Sequence, residues 1–219
     1  MSKESVVVVV AGGPAPAPEA ALAVPVGATV IAADGGLAHA WRLGLDVSVV
    51  VGDLDSASPG EVATAESKEI PVERHPREKD ATDLELALDA ALVRGPERIL
   101  VVAGDGGRLD HLLSMLLLLG AETYADVQLD AWVGPARVHV VRGARALDGT
   151  RGELLTLVAL HGPAAGVRTE GLVYPLAGET LEPGSSRGVS NVFAAERAAI
   201  SVEHGVVLTV RPGSDEGAS

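Results

Sequence analysis

The chain contains no cysteine. That absence excludes disulfide scaffolds, thiolate metal sites and cysteine nucleophiles, and it fits a cytoplasmic protein. Aromatic residues are almost as scarce: Trp41, Trp132, Tyr124, Tyr174 and Phe193 are the whole set. Any flat ligand therefore has few rings to rest on. Positive charge is short too. Lys plus Arg number 17 against 30 Asp plus Glu, for a net charge of −13, and Lys3, Lys68 and Lys79 are the only lysines. A surface this negative repels nucleic-acid backbones and anionic membranes, so neither is an expected partner. Long apolar runs are missing. Val6–Val10 is too short for a signal segment and meets Gly12-Gly13-Pro14, and the leucines at 116–119 stop at Gly120. The Gly-x-Gly-x-x-Gly spacing of dinucleotide-binding oxidoreductases is absent as well.

What is present is 219 residues, 47% hydrophobic and 21% charged, enough for one large domain or two small ones and too apolar for disorder. The first half alternates β-branched blocks with helix-like stretches. Strands are predicted at Val6–Val10, Thr29–Ala33, 47–51, 99–102 and 127–133, and helices at 37–43, 59–68, Asp83–Val93 and 111–121. Continuous apolar strands between helices predict a doubly wound, mostly parallel α/β sheet. Thr82-Asp83-Leu84-Glu85 reads as a capping box at the start of the third helix. After about residue 134 the helical period fades. Short strands follow at 137–141, 154–160 and 166–173, with a hairpin at 200–210 turning at Glu203-His204-Gly205. The expected organisation is an α/β domain over 1–134 and an all-β sandwich over 135–219.

In open α/β sheets ligands bind beyond the carboxyl ends of the strands. The first four strands are followed there by Gly12-Gly13, Asp34-Gly35-Gly36, Gly52-Asp53-Leu54-Asp55-Ser56 and Gly104-Asp105-Gly106-Gly107-Arg108-Leu109-Asp110-His111. Together they predict a rim of carboxylates and backbone N–H groups. Asp53 and Asp55 point to one face if the strand continues, a pairing that a hard divalent ion such as Mg²⁺ relieves. The same residues can also be turn formers, with Asp55 or Ser56 capping the next helix. Lys79-Asp80-Ala81-Thr82-Asp83 adds a lysine and two acids at a helix start, where acids also serve the macrodipole. Gly106 and Gly107 permit close approach to phosphate, and Arg108 can fork onto its oxygens.

Taken in order, Asp34-Gly35-Gly36, Gly52 to Ser56, Lys79 to Leu88 and Gly106 to His111 resemble the thiamine pyrophosphokinase (thiamin diphosphokinase) family. The resemblance continues in Gly171-Leu172-Val173-Tyr174-Pro175-Leu176 and Gly188-Val189-Ser190-Asn191-Val192-Phe193. It implies a homodimer and transfer of the pyrophosphoryl group of ATP to the hydroxyl of thiamine, with Mg²⁺. It implies that Asp53, Asp55, Asp80 and Asp83 hold metal and phosphates. Asp34, Gly35, Gly36, Lys79, Asp80, Thr82, Asp83, Gly106, Gly107 and His111 would contact nucleotide. Arg108 and Asp110 would sit at the reacting centre, Asp110 orienting or deprotonating the alcohol. Ser190 and Asn191 would face thiamine. Thiamine is aromatic and wants a flat apolar partner, for which Phe193 is the candidate inside a matching motif; the same residue can also be sandwich core. One departure is Met115, where the family commonly has Asn after the His-containing motif. Two alternatives share these features: a diphosphokinase acting on another alcohol such as a hydroxymethyl pterin, and a catalytically silent binder of nucleotide or thiamine.

Overall fold

The computed structural model describes residues 4–54, 57–76 and 80–213. By internal contacts the chain forms two compact units, one of residues 1–115 with 127–135, the other of residues 116–126 with 136–219.

The first unit runs β1 (Val6–Val10), β2 (Thr29–Ala33), α1 (Gly36–Arg42), β3 (Val49–Gly52), α2 (Pro59–Ser67), β4 (Val72–Arg74), α3 (Asp83–Val93), β5 (Arg98–Ala103) and β6 (Gln128–Val133), together with the first part of α4 (Leu109–Leu119), whose residues from 116 on belong to the second unit. Its strands lie in the order β4-β3-β2-β1-β5-β6, and every pairing is parallel. The order reverses at β1 and β5, so a topological switch point lies between their carboxyl ends. All five residues of β1 are buried. Val6, Val8 and Val10 share a cluster with Ala40 of α1, and Val7 and Val9 are equally buried. Burial on both faces is why this strand is an unbroken valine run rather than an alternation. Gly36 lets α1 begin against the end of β1, because a Cβ there would stand 2.0 Å from the Val10 carbonyl oxygen.

The parallel sheet agrees with the sequence reading, and α3 and the first two strands have the predicted bounds. Two details differ. The three-residue β4, Val72–Arg74, was not anticipated: it is a half-buried to exposed edge strand without an apolar pattern. The cap of α2 is Ser58 rather than Asp55 or Ser56. Its hydroxyl accepts from the Glu61 N–H while the Glu61 carboxylate accepts from the Ser58 N–H, a complete capping box. At α3 the Thr82 hydroxyl accepts from the Glu85 N–H at 3.2 Å.

The second unit contains β7 (Ala136–Val141), β8 (Ala144–Asp148), β9 (Leu154–Glu170), β10 (Ala177–Leu181), β11 (Asn191–Val192), β12 (Arg197–Ser201) and β13 (His204–Arg211), all paired antiparallel in the order β7-β13-β9-β12-β8, with β10 and β11 also on β9. β9 merges the two strands predicted at 154–160 and 166–173. It bends around His161 and Gly166, which have φ of 58° and 68°. Its first half pairs with β13 and its last residues with β12. The predicted hairpin at 200–210 is therefore not formed: β12 and β13 each pair with a different stretch of β9 instead of with each other. One core fills this unit, with Leu155, Leu157, Phe193 and Ile200 at its centre. Arg211, 7% exposed, forks onto Glu153 at 2.7 Å twice, donates to the Asp148 carbonyl at 2.9 Å, and lies 5.4 Å over the Phe193 ring. Among the described residues no helix is long and apolar enough to cross a membrane.

Candidate active site

The carboxyl edge of the parallel sheet gathers acids from three separate segments. Asp34 is the first residue after β2; its backbone has φ 45°, and its N–H donates to the Val51 carbonyl at 2.9 Å, tying it to β3. Asp53 follows Gly52 at the end of β3. Asp83 opens α3, directly after the Thr82 cap. One carboxylate oxygen from each of Asp34, Asp53 and Asp83 lies within 4.8 Å of the others, with Asp34 buried and its two partners half-buried. Gly52 sits inside this group: a Cβ there would come 3.0 Å from Asp83 Oδ1 and 3.1 Å from the Asp34 Cβ. Three carboxylates this close repel one another, and an all-oxygen set at this spacing suits one hard divalent cation.

The expected metal group was Asp53, Asp55, Asp80 and Asp83. The structure joins Asp53 to Asp83 and adds Asp34. Asp80 is exposed in the bend before the α3 cap and is not part of the trio. Asp55 and Lys79 lie outside the described residues. The resemblance assigns Asp34 to nucleotide contact, whereas the structure sets it among the carboxylates. The signal that points to the trio is positional: β2 and β3 are consecutive parallel neighbours about 5 Å apart, so acids that directly follow each of them end up side by side.

At the other side of the switch point, Arg108 and Asp110 form an exposed pair. Arg108 Nε donates to Asp110 Oδ1 at 3.2 Å and Nη2 to Oδ2 at 2.6 Å. The Arg108 guanidinium, by hydrogen bond, holds the Asp110 carboxyl down at about 2. Arg108 itself is shifted upward by the same bond. Gly106, Gly107 and His111 are exposed beside the pair. Gly35 caps α1, and Gly36 begins it. Met115, at the position where an Asn was noted for the family, is buried at 6% exposure, a place that suits a thioether better than an unpartnered amide.

In the second unit, the two C-terminal motifs lie side by side. Val173 N–H donates to the Val192 carbonyl at 2.9 Å, and Leu172 bridges to Phe193. The Asn191 amide is occupied by backbone: Oδ1 accepts from the N–H groups of Tyr174 and Val192 at 3.0 and 2.9 Å, and Nδ2 donates to the Tyr174 carbonyl at 2.7 Å. Ser190 is exposed with φ 56°, and its N–H donates to the Thr156 hydroxyl at 3.1 Å. Phe193, expected to face a ligand, is instead wholly buried in the core, with Gly149 packed against its ring. The ring that these motifs do present is Tyr174, 57% exposed and gripped on both sides of its backbone by Asn191. Both rings lie inside matching motifs, and motif membership alone does not separate a core ring from a surface ring.

Comparison with known proteins agrees with both units. Residues 26–129 match the family description "Thiamin pyrophosphokinase, catalytic domain", and residues 139–207 match "Thiamin pyrophosphokinase, vitamin B1 binding domain". A thiamine pyrophosphokinase of Bacillus subtilis is 26% identical over 162 residues, 73% of this chain and 76% of the relative. Among solved structures, a thiamin pyrophosphokinase of Geobacillus thermodenitrificans superposes with a TM-score of 0.81 at 25% identity, covering 98% of this chain and all of that one. A B. subtilis thiamine pyrophosphokinase structure gives a TM-score of 0.84 at 22% identity over 96% of this chain and all of the other, and so speaks for the fold. With matches to both parts in chain order across most of its length, the chain belongs to the thiamin pyrophosphokinase family, whose members are kinase-type transferases.

Proposed function

We propose that this protein is a thiamine diphosphokinase that transfers the pyrophosphoryl group of ATP to the hydroxyl of thiamine. The observation that carries the reading is the carboxylate trio of Asp34, Asp53 and Asp83 in a chain whose other part matches a vitamin B1 binding domain. In the reaction, the thiamine alcohol oxygen bonds to the β-phosphorus and the bond from that phosphorus to the α,β-bridging oxygen breaks. AMP leaves, and the alcohol proton passes to solvent. Such a transfer needs positioning and charge neutralisation rather than a covalent nucleophile, so the absence of cysteine is no obstacle.

Asp34, Asp53 and Asp83 would hold Mg²⁺, and the ion would neutralise phosphate charge. Asp80 and Thr82 precede Asp83 in sequence and are proposed as nucleotide contacts, as is Lys79 from its place in the motif. Gly35, Gly36, Gly106 and Gly107 offer backbone to phosphate, with His111 nearby in sequence. Arg108 forks onto phosphate oxygens once it leaves Asp110. The bond from Arg108 is what holds Asp110 at about 2; once Arg108 turns to phosphate that hold is released, and Asp110 is left to orient or deprotonate the alcohol. Thiamine is cationic and is drawn to a chain of net charge −13. Tyr174 supplies its flat partner and Ser190 a polar contact, with Asn191 holding Tyr174 in place. The working form is a cytoplasmic homodimer. Leu109 and Leu113, four apart on α4 and both exposed, offer apolar surface for a second copy.

The deciding assay is AMP formation from ATP and Mg²⁺ with thiamine and with a hydroxymethyl pterin in separate reactions. Thiamine-dependent AMP is expected. AMP with the pterin alone would transfer the assignment to the related diphosphokinase. The buried Met115 keeps one further reading in view: thiamine binding by calorimetry with no AMP formed would identify a silent binder.

A further inference from the structure

The loop after β1 stands between the two loops read above as nucleotide contacts, because β1 lies between β2 and β5 in the sheet. On one side it meets the Asp34-Gly35-Gly36 turn: a Cβ on Gly12 would come 3.4 Å from the Ala33 carbonyl oxygen and 3.5 Å from the N atoms of Gly35 and Gly36. On the other side it backs onto the glycine loop. A Cβ on Gly104 would come 2.5 Å from the Pro14 carbonyl oxygen, and one on Gly107 would come 2.8 Å from Pro14 Cγ. Residues 12–14 thus lie as a spacer between the two loops, and Gly104 and Gly107 are small because Pro14 leaves no room for a side chain there.

The spacer is anchored from α1. His39 is 6% exposed, and its Nε2 lies 2.8 Å from the Gly13 carbonyl oxygen. Its other ring nitrogen, Nδ1, is contacted by the Arg42 guanidinium one turn later. A guanidinium can only donate, so Nδ1 accepts, the ring proton sits on Nε2, and Nε2–H donates to Gly13. Arg42 also donates from Nε to the Ala38 carbonyl at 3.3 Å, which fixes its own reach. Gly13 has φ 87°, a left-handed conformation that turns the chain into Pro14.

We propose that His39 is a positioning residue for the nucleotide loops: its Nε2–H fixes Gly13, Gly13 fixes Pro14, and Pro14 sets the glycine loop Gly104-Asp105-Gly106-Gly107 at a constant distance from residues 34–36. The proposal rests on the nucleotide reading above for its functional consequence, though not for its mechanical one. Among the described residues, His39 hydrogen-bonds to Gly13 and Arg42 and not to the carboxylate trio or the Arg108–Asp110 pair.

The test compares the full chain with His39→Leu and His39→Gln, since glutamine keeps an N–H donor. Amide hydrogen exchange without ligand is measured over peptides covering residues 11–14 and 104–108. His39→Leu is expected to speed exchange in both segments, and His39→Gln to restore most of the protection. In parallel, calorimetry with Mg²⁺ and a nonhydrolysable ATP analogue is expected to show affinity about five- to tenfold weaker in His39→Leu, the effect of one neutral hydrogen bond, with thiamine affinity unchanged. Faster exchange confined to 11–14, with 104–108 as in the wild type, overturns the proposal. So does equal loss in both variants, which would mark His39 as packing alone. If the wild-type chain binds no ATP analogue, the nucleotide reading fails, and the exchange data still decide the mechanical claim.

Discussion

Arg108 lies across both oxygens of Asp110, at 3.2 and 2.6 Å, on an exposed stretch of the sheet's carboxyl edge. The pair keeps Asp110 charged at every physiological pH. Its carboxyl is lowered, so whatever the pair contributes is complete above the ordinary aspartate value of about 4 and is lost as pH falls toward about 2. An NMR titration is expected to place the Asp110 midpoint at about 2, and Arg108→Gln to return it toward about 4. A midpoint already near 4 in the wild type would show that the pair does not form in solution. An acid limb of activity near pH 6 would have to come from another group.

Removing one charge from the carboxylate trio should cost far more than removing a charge beside it. Asp34→Asn, Asp53→Asn and Asp83→Asn are each expected to lower Mg²⁺-dependent AMP formation by about two orders of magnitude or more, and Asp80→Asn by clearly less. Thermal stabilisation of the chain by Mg²⁺ or Mn²⁺ reads the same difference without turnover. Equal losses for Asp80 and Asp34 would place the ion elsewhere.

Gly52→Ala tests how tightly that trio is packed. The new methyl would meet Asp83 and Asp34 at 3.0 and 3.1 Å in a backbone of φ 144°. Denaturant unfolding is expected to show a loss of about 1–3 kcal/mol together with weakened divalent-ion binding. Wild-type ion affinity in this variant would mean that the carboxylates move apart freely.

Phe193 and Tyr174 should separate stability from binding. Phe193→Ala empties the centre of the second unit and is expected to cost about 3–5 kcal/mol in chemical denaturation. Tyr174→Ala, at an exposed ring, is expected to leave stability within about 0.5 kcal/mol while raising the KM for thiamine about tenfold or more. A thiamine KM unaffected by Tyr174→Ala would exclude its ring as the stacking surface.

The α/β half was the more legible part in sequence, because strands such as Val6–Val10 and Thr29–Ala33 are buried on both faces and are written as apolar blocks. The edge strand Val72–Arg74 has no such block and gave no signal. In the β half, the glycine and histidine near 161–166 looked like a break between strands, whereas they bend one long strand whose pairing continues past them. The hairpin expected at 200–210 failed for the same reason: a local turn pattern says nothing about the distant partner that outcompetes it. Individual acids at the site were visible, but their grouping depended on strand adjacency. Asp34 joined Asp53 because β2 borders β3, while Asp80, nearer to Asp83 in sequence, stayed outside.

The long β9 has a consequence for biosynthesis. Four of its neighbours, β10 to β13, lie later in the chain, the last ending at Arg211. While the polypeptide emerges from the ribosome, Leu154–Glu170 exists before the strands that pair with it, so the second unit can only close once His204–Arg211 has been made. A nonsense mutation even a few codons upstream of His204 would release a product with an uncapped β edge, prone to stick to its own kind rather than to lose activity quietly.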